Sequence, residues 1–552
     1  MSAAALFAER ERDLLCWSGG PVRLEAGESG LRLVPPGGGP PREIAPDADL
    51  AALGSDGQRV VSARLLPDGL EITETDLAGG AETWRAELPD GVPAGRYLAD
   101  ITLGVTADGA PDLVLTLEGE DTDRLLLALA RDTPAYRLDL PPHGRLLLHD
   151  RGSATAVLEE QRGPDTPLLR LYRTDGTPYG TLEGTWRDVR GSQALVDVGD
   201  AVEVRDVRDC SLTRRIETDG EVRDARFLGS EGRVAVLTCV DGADRLELTD
   251  PGTTVGLGGA IRVCAAGPAG IGLHAVSTLG ASVWAWLSPD GTLRTAPGTV
   301  PAFRGEARTE QLRRGRTPIV LHRTGAAPKG LLIAVHGGPE SLERDELRWE
   351  GVYRDLLAAG VAVAGVNYGG SLGFGRAHRE RPWHDWRRSL EEDFAACLDL
   401  GRELGVDRAA TALLGGSFGA SAALLAAGAF PGLAGVVACS PMVDLGTFRH
   451  RVEQQEPRYA PWFDRRFGAA DHRYFSPASL LGTGATPVVV VQGDADEVVD
   501  AAEAGQLAAA ARAAGLDWRL VLEQGAAHQP SSPAESSARH ALLLREIRAL
   551  LP

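Results

Sequence analysis

The chain has 552 residues, of which 43% are hydrophobic and 24% charged, with 68 glycines and 34 prolines. This is several times the length of an ordinary domain, and the composition is that of a globular protein, so we expect more than one folded domain. The 77 acidic residues outnumber the 57 basic ones by 20. Such a charge opposes binding to nucleic acid or to an anionic membrane surface.

The cysteine pattern and the start of the chain indicate the compartment. The six cysteines lack the close pairs of a zinc site or a disulfide framework, so we expect reduced thiols and no bound metal. The first dozen residues carry charged side chains and lack the apolar run of an export signal. Because apolar stretches of membrane-spanning length are also missing from the sequence, we expect a cytoplasmic protein.

The first half of the chain is built from a repeated unit. Each unit is an alternating apolar run, a short polar turn and a second alternating run. The clear copies begin, 38 to 42 residues apart, at Leu113, Thr155, Ala194, Val234 and Gly272, and looser copies begin near Leu14 and Val60. Alternation is typical of strands, and a repeat of roughly 40 residues holding about four strands is the size of one propeller blade. We therefore predict an N-terminal all-β seven-bladed propeller in residues 1–300, with a β-sandwich or tandem β-domains as the alternative.

The pattern changes after residue 300. Segment 301–317 is arginine-rich and polar, and we interpret it as a domain boundary. Beyond it, helical stretches such as 389–404 and 501–514 alternate with continuous apolar runs, which are typical of strands covered on both faces. These runs are 331–335, 361–366, 411–414, 435–438, 487–491 and 518–522. Residues 301–552 are predicted to form a doubly wound domain with a mostly parallel sheet.

A candidate nucleophile follows the run 411–414. The sequence Gly415-Gly416-Ser417-Phe418-Gly419 has the form Gly-x-Ser-x-Gly and leads into an alanine-rich helical stretch. Glycines on both sides of a serine permit a sharp strand-to-helix turn, which would project the Ser417 hydroxyl at the carboxyl edge of the sheet. Taken alone, the motif is also compatible with a plain turn that caps a helix.

A candidate oxyanion pocket follows the run 331–335, which ends in His336-Gly337-Gly338-Pro339. An amide of Gly337 or Gly338, together with the N–H of Phe418, could hold the oxyanion of a tetrahedral intermediate. We interpret His336 as an anchor of this loop and not as a proton carrier.

The candidate acid and base follow the last two runs. After 487–491 come Asp494, Asp496 and Glu497, any of which could orient a histidine. The run 518–522 leads to His528, in the chain order Ser, Asp, His expected of a nucleophile-elbow hydrolase. Imidazole exchanges protons near neutral pH, so His528 is the candidate base.

Together these motifs resemble the prolyl oligopeptidase family of serine peptidases, in particular its acylaminoacyl-peptidase-like and dipeptidyl-peptidase-like branch. The matching segments are 336–339, 367–371, 373–375, 415–419, 493–499 and 525–528. The resemblance implies a seven-bladed propeller over an α/β-hydrolase domain, and the family's Gly-x-x-Asp-x-x-Val pattern places the acid at Asp496. It also implies catalysis without a metal or an organic cofactor.

Some positions depart from the family pattern. Departures at Glu340, Gly370, Asp500 and Gln529 lie in loops expected to line the cleft, and they leave the substrate preference open. The adjacent pair Glu159-Glu160 is similar to the amine-binding glutamates of dipeptidyl peptidases. Neighbouring residues of a strand point to opposite faces, however, which argues against that role here.

The sequence thus predicts a serine hydrolase that cleaves short peptides, as an oligopeptidase, aminopeptidase or acylaminoacyl-peptidase, through an acyl-enzyme on Ser417. One alternative is an esterase or an acyltransferase or cyclase that acts on a specialised peptide or an acylated small molecule, since partition of an acyl-enzyme depends on the pocket. Another is a non-catalytic protein that binds partners through its propeller. The sequence does not determine the oligomeric state, so a monomer and a homo-oligomer are both compatible with it.

Overall fold

The computed structural model describes residues 13–551 with short gaps. The gaps are 18–20, 28–29, 35–41, 47–49, 54–58, 68, 77–79, 90–96, 106–110, 119–123, 131–132, 142–143, 151–153, 161–166, 230–231, 251, 268, 456 and 531.

The described residues of the first half form seven four-stranded antiparallel sheets, each made of four consecutive strands. The strands are β1 (Asp13–Trp17), β2 (Pro21–Gly27), β3 (Gly30–Val34), β4 (Arg42–Pro46), β5 (Leu50–Leu53), β6 (Arg59–Leu66), β7 (Gly69–Asp76), β8 (Ala81–Ala86), β9 (Tyr97–Val105), β10 (Pro111–Glu118), β11 (Arg124–Ala130), β12 (Thr133–Arg137), β13 (Arg145–Asp150), β14 (Thr155–Glu160), β15 (Leu168–Arg173), β16 (Pro178–Glu183), β17 (Thr185–Arg190), β18 (Gln193–Asp197), β19 (Ala201–Asp206), β20 (Leu212–Glu217), β21 (Glu221–Leu228), β22 (Arg233–Val240), β23 (Ala243–Thr249), β24 (Gly252–Val255), β25 (Ala260–Gly267), β26 (Gly270–Val276), β27 (Val283–Leu287) and β28 (Leu293–Pro297).

Each of these sheets packs against the next, and the first sheet packs against the last through β1, β25 and β26. The core lies between neighbouring sheets; for example, Leu115 and Leu127 of one sheet share a buried cluster with Leu70 and Ile72 of the preceding one. The five clear sequence repeats correspond to the two middle strands of five sheets, from β10 with β11 to β26 with β27. The closed arrangement is the propeller architecture that the repeat predicts.

The second half forms an eight-stranded sheet in the order β29-β30-β32-β31-β33-β34-β35-β36. Its strands are β29 (Ala307–Arg314), β30 (Thr317–Thr324), β31 (Gly330–Val335), β32 (Val361–Val366), β33 (Thr411–Gly416), β34 (Gly435–Cys439), β35 (Val488–Gly493) and β36 (Trp518–Glu523). The six strands from β31 onward pair in parallel, and β29 and β30 pair antiparallel at one edge. The predicted mostly parallel sheet is thereby confirmed.

Helices cover both faces of this sheet. They are α1 (Val352–Ala358), α2 (Arg376–Glu380), α3 (Trp386–Glu403), α4 (Phe418–Ala429), α5 (Leu445–Gln455), α6 (Ala460–Arg466), α7 (Ala469–Tyr474), α8 (Pro477–Leu480), α9 (Ala501–Ala513) and α10 (Pro533–Leu550), with 3-10 turns at Trp349–Gly351, Arg408–Ala410, Pro457–Tyr459 and Leu481–Thr483. On β31, Ile333 joins the cluster that α3, α4 and α9 cover, and Leu332 joins the cluster under α1 and α10. Burial of both faces explains why the strands read as continuous apolar runs.

The segment 301–317, interpreted as a domain boundary, contains a strand. The last propeller strand ends at Pro297, and β29 (Ala307–Arg314) lies within the segment, at the edge of the large sheet. Its alternately exposed, charged residues suit an edge strand, but they hide the strand from an apolar pattern. The division at residues 300 and 301 stays a prediction.

The predicted state of the cysteines can be compared with five of the six residues. Cys210, Cys239, Cys264, Cys397 and Cys439 are free thiols, and the last two and Cys239 are buried. The side chain of Cys16 lies outside the described part. Within the described ranges, no helix combines the length and the apolar character needed to cross a membrane.

Candidate active site

Ser417 occupies a sharp turn between β33 and α4. Its backbone has φ 54° and ψ −124°, a conformation that costs energy for any residue with a side chain. The turn needs its flanking glycines, because a Cβ on Gly415 would lie only 2.3 Å from the Gly419 carbonyl oxygen. The Ser417 N–H donates to the Cys439 carbonyl at 2.8 Å and so fixes the turn to the end of β34. This is the local geometry of a nucleophile elbow.

The glycine loop after β31 lies directly against this turn. A Cβ built on Gly337 would be 3.2 Å from the Ser417 Cβ and 3.0 Å from the Gly416 carbonyl oxygen. Gly338 has φ +123°, which favours glycine. Phe418 is the first residue of α4, and the first N–H groups of a helix have no partner within the helix. The Gly337 backbone therefore lies beside Ser417, and Phe418, the next residue, has an N–H without a partner within the helix.

His336 anchors the glycine loop, as the sequence interpretation proposes. It is fully buried, and its Nε2 lies 2.7 Å from the Ser371 hydroxyl while its Nδ1 lies 2.8 Å from the Gly337 carbonyl oxygen. Burial lowers the pKa of His336 to about 3. The ring is therefore neutral at pH 7, with Nδ1–H donating to Gly337 and Nε2 accepting from Ser371.

Asp496 and His528 form a hydrogen-bonded, partly buried pair. The His528 Nδ1 atom is 2.8 Å from Oδ2 and 3.0 Å from Oδ1 of Asp496, whose side chain is 0% exposed. Oδ1 also accepts the N–H groups of Val498 at 2.9 Å and Val499 at 2.8 Å. Burial raises the pKa of Asp496, but the hydrogen bonds from Val499, His528 and Ser440 outweigh burial and hold the pKa below its ordinary value.

Two residues of this pair's surroundings were missed from the sequence. Gln492, at the end of β35, is fully buried and donates from Nε2 to Asp496 Oδ2 at 3.0 Å. Ser440 follows β34, and its hydroxyl is the further partner of Asp496. Both stand at the carboxyl ends of parallel strands, so a search for polar residues at those ends would have found them.

The other acids of the loop have different surroundings. The Asp494 carboxylate accepts the Gly525 N–H at 2.6 Å, and its own N–H donates to the Glu523 carbonyl at 3.2 Å. Asp494 thus joins the acid loop to the backbone of the loop that carries His528. The Glu497 side chain is exposed.

Three of the four departures from the family pattern, those at Glu340, Gly370 and Asp500, have local explanations. Glu340 forms an ion pair with Arg466 at 2.7 Å, and Asp500 caps α9 by accepting the Ala502 N–H. Gly370 has φ +106°, and a Cβ there would lie 2.8 Å from the Trp386 ring, so a larger side chain does not fit.

The Glu159-Glu160 pair ends strand β14 of the propeller. Glu160 is held within its own sheet by an ion pair with Arg170 at 2.8 Å and a hydrogen bond from the Tyr172 hydroxyl at 3.4 Å. These contacts occupy the carboxylate that an amine-binding role would use.

The predicted site residues therefore fall into two groups at one edge of the sheet. Ser417, Phe418, Gly337 and Gly338 form the first group, and Asp496 with His528 forms the second. The ends of β34 and β35 join them, because Ser417 bonds to Cys439 and the next residue, Ser440, bonds to Asp496. Among the described residues, no three His, Cys, Asp or Glu side chains are grouped so that they could hold a metal ion.

Comparison with known proteins finds a family domain in the catalytic half. The model of the prolyl oligopeptidase family matches residues 351–545. Dipeptidyl aminopeptidase BIII of Pseudoxanthomonas mexicana is 28% identical over 228 residues, which are 39% of this chain and 32% of that protein. The chain matches only about a third of the length of the curated relatives.

Solved structures show the fold over the whole chain. A puromycin-hydrolyzing peptidase of Mycobacterium tuberculosis has a TM-score of 0.70 at 18% identity, over 100% of this chain and 96% of that chain. An acylaminoacyl peptidase of Pyrococcus horikoshii has a TM-score of 0.73 at 14% identity, over 96% of this chain and 94% of that chain. The predicted combination of a propeller with an α/β-hydrolase domain is confirmed.

Proposed function

We propose, from the prolyl oligopeptidase family domain that residues 351–545 form, that this chain is a serine hydrolase that cleaves short peptides through an acyl-enzyme on Ser417. The observation that carries the proposal is the hydrogen-bonded Asp496–His528 pair at the same sheet edge as the strained Ser417 turn. Strained serines beside a glycine loop and an acid-histidine pair are the arrangement that acyl transfer requires.

In the proposed reaction the Ser417 hydroxyl oxygen attacks the substrate carbonyl carbon while His528 Nε2 takes the hydroxyl proton. The carbonyl oxygen becomes an oxyanion, which the N–H of Phe418 and an N–H of the Gly337-Gly338 loop stabilise. When the intermediate collapses, the bond to the leaving amine breaks and His528 returns the proton to that amine. A water molecule then repeats the sequence on the acyl-enzyme and releases the acid and Ser417.

Asp496 has two tasks in this scheme. Its bond to Nδ1 fixes the tautomer in which Nε2 is free to accept a proton, and its negative charge stabilises the imidazolium that forms. Its depressed pKa keeps the carboxylate ionised throughout the neutral range. The donors Gln492 and Val499 fix the carboxylate in place.

The propeller is proposed to limit which substrates reach Ser417. It covers the catalytic half through contacts that include Gly373 N–H with Glu221 and Arg313 with Asp241. Short, unfolded peptides are therefore the expected substrate class, and folded proteins are expected to be excluded.

A serine-reactive probe tests the proposal. We expect a fluorophosphonate to label the unmodified chain and not Ser417→Ala, while Ser421→Ala, which removes a buried hydroxyl one helical turn later, stays labelled. Digestion of a peptide library, followed by mass spectrometry with Ser417→Ala as the blank, then identifies the cleaved bonds. A chain that is folded and unlabelled would contradict the proposal, and products that carry a new acyl acceptor would indicate acyl transfer in place of hydrolysis.

A further inference from the structure

The segment 339–348, which follows the oxyanion glycines, contacts both halves of the molecule. We call it the oxyanion segment. Toward the catalytic half, Glu340 pairs with Arg466, and the Asn367 side chain bonds to both backbone groups of Glu343, at 2.8 and 2.9 Å. These contacts attach the segment to α6 and to the end of β32.

Toward the propeller, the same segment makes a second set of contacts. Arg344 Nη1 lies 3.0 Å from Oδ1 and 2.8 Å from Oδ2 of Asp244, at the start of β23. Next to it, Asp345 accepts the Thr278 N–H at 2.9 Å, and the Thr278 hydroxyl donates to the Glu346 carbonyl at 2.8 Å. The propeller therefore holds three consecutive residues of the segment.

The ion pair is built rigidly on the propeller side. The Asp244 side chain is 0% exposed and also accepts the Ile261 N–H at 2.7 Å and an N–H of Arg223 at 3.2 Å, so two further propeller strands fix it. On the other side, Glu346 holds the Arg344 guanidinium at 2.9 Å. A buried carboxylate with several fixed donors is a precise anchor, because moving it would leave charge unpaired.

We propose that Asp244 is a positioning residue for the proposed acyl transfer: through Arg344 it holds the oxyanion segment, and with it Gly337 and Gly338, in register with Ser417. The glycine loop is only a few residues from Arg344, and a Cβ built on Gly337 would lie 3.2 Å from the Ser417 Cβ, so the loop backbone packs closely against Ser417. A displacement of about 1 Å in such a loop can cost about 100-fold in rate. The propeller thus contributes to the chemistry as well as to access. This inference rests on the proposed function.

The test compares variants by steady-state hydrolysis of p-nitrophenyl acetate. Asp244→Asn and Arg344→Met are each expected to lower kcat by about 10- to 100-fold with KM within about threefold, because the oxyanion site acts on the transition state. Arg344→Lys keeps the charge and is expected to restore kcat to within about threefold. Asp241→Asn is the matched control, since Asp241 lies in the same hairpin and also pairs across the halves, with Arg313 at 2.9 Å, but on the edge strand β29.

A second readout separates positioning from general stability. Benzeneboronic acid forms a tetrahedral adduct with a reactive serine, so its inhibition constant should rise in parallel with the loss in kcat for Asp244→Asn and stay constant for Asp241→Asn. Unchanged kcat and unchanged boronate affinity in Asp244→Asn would overturn the inference. If Asp244→Asn does not fold, Arg344→Met decides by the same criteria.

The two proposals fail in different ways. If the unmodified chain neither reacts with fluorophosphonate nor hydrolyses the ester, the proposed function is wrong. If it does both and the Asp244 and Arg344 variants match it in kcat and boronate affinity, only the positioning role is wrong.

Discussion

Gly419, in the first turn of α4, packs closely against the end of β31 and His336. A Cβ on Gly419 would lie 2.3 Å from the His336 carbonyl oxygen and 2.4 Å from that of Val335. Normal contact would require a movement of roughly 1 Å, and neither side is free to move: β31 is in the centre of the sheet, and Ser417 is bonded to Cys439.

Gly419→Ala is therefore expected to destabilise the protein by about 1 to 3 kcal/mol, the usual range for overpacking a rigid site. The same displacement would separate the glycine loop from the N–H of Phe418, so ester hydrolysis should fall by up to about 100-fold. The assays are urea unfolding followed by tryptophan fluorescence and p-nitrophenyl acetate hydrolysis.

Gly505→Ala is the matched control, because Gly505 lies inside α9 and a Cβ there meets none of the described atoms within 4 Å. That substitution should raise stability by about 0.5 to 1 kcal/mol through helix propensity alone, with activity unchanged. If Gly419→Ala were as stable and as active as Gly505→Ala, close packing of Gly419 against the Val335 and His336 carbonyls would not determine stability or activity.

Two further predictions concern acidity and the triad acid. Burial lowers the pKa of His336 to about 3 and the pKa values of His322 and His378 to about 4. In the unfolded chain the histidine pKa is near 6.5, so below that pH the unfolded state binds protons that the folded state does not. The free energy of unfolding is therefore highest above pH 6.5 and falls as the pH is lowered toward 4. Each ring should cost about 2 kcal/mol at pH 5 relative to pH 8, so the urea midpoint should fall over this interval; an equal midpoint at both pH values would contradict the shifts. Asp496→Asn should lower kcat by about 10,000-fold, and Asp494→Asn by less than about tenfold because it bonds only to loop backbone; equal losses would refute the assignment.

The sequence predicts the middle of each propeller sheet better than its outside. The repeats located in residues 113–287 coincide with middle strands, whose residues are buried against neighbouring sheets and must be apolar. Outer strands such as β20, Leu212–Glu217, carry mostly exposed polar residues and give little apolar signal. The sequence analysis also missed strand β29. This strand lies at the edge of the sheet, with only one of its edges paired, and it too gives little apolar signal. Pattern methods detect burial, and strands with little burial escape them.

Contacts between distant residues mark the second limit. Arg344 and Asp244 are 100 residues apart in the chain, and Glu340 and Arg466 are 126 apart. Each residue alone is an ordinary charged residue, in a loop for Glu340 and Arg344, in strand β23 for Asp244 and in helix α6 for Arg466. Since charged side chains are usually solvated at the surface, nothing in the local pattern distinguishes the buried ones. Their partners become visible only when the fold brings distant parts of the chain together, within the catalytic half for Glu340 and Arg466 and across the two halves for Arg344 and Asp244.

The acid of the proposed triad illustrates why local geometry decides between neighbouring candidates. Asp494, Asp496 and Glu497 follow the same strand, and position alone leaves them equivalent. In the structure the N–H groups of Val498 and Val499 turn back onto Asp496, which directs its carboxylate to His528, whereas Asp494 faces the Gly525 N–H. The direction of each side chain is set by the backbone turn that follows the strand. The family pattern Gly-x-x-Asp-x-x-Val places the acid at Asp496 and includes the residues of this turn. Its glycine, Gly493, is needed because a Cβ there would lie 2.2 Å from the Ala526 carbonyl oxygen.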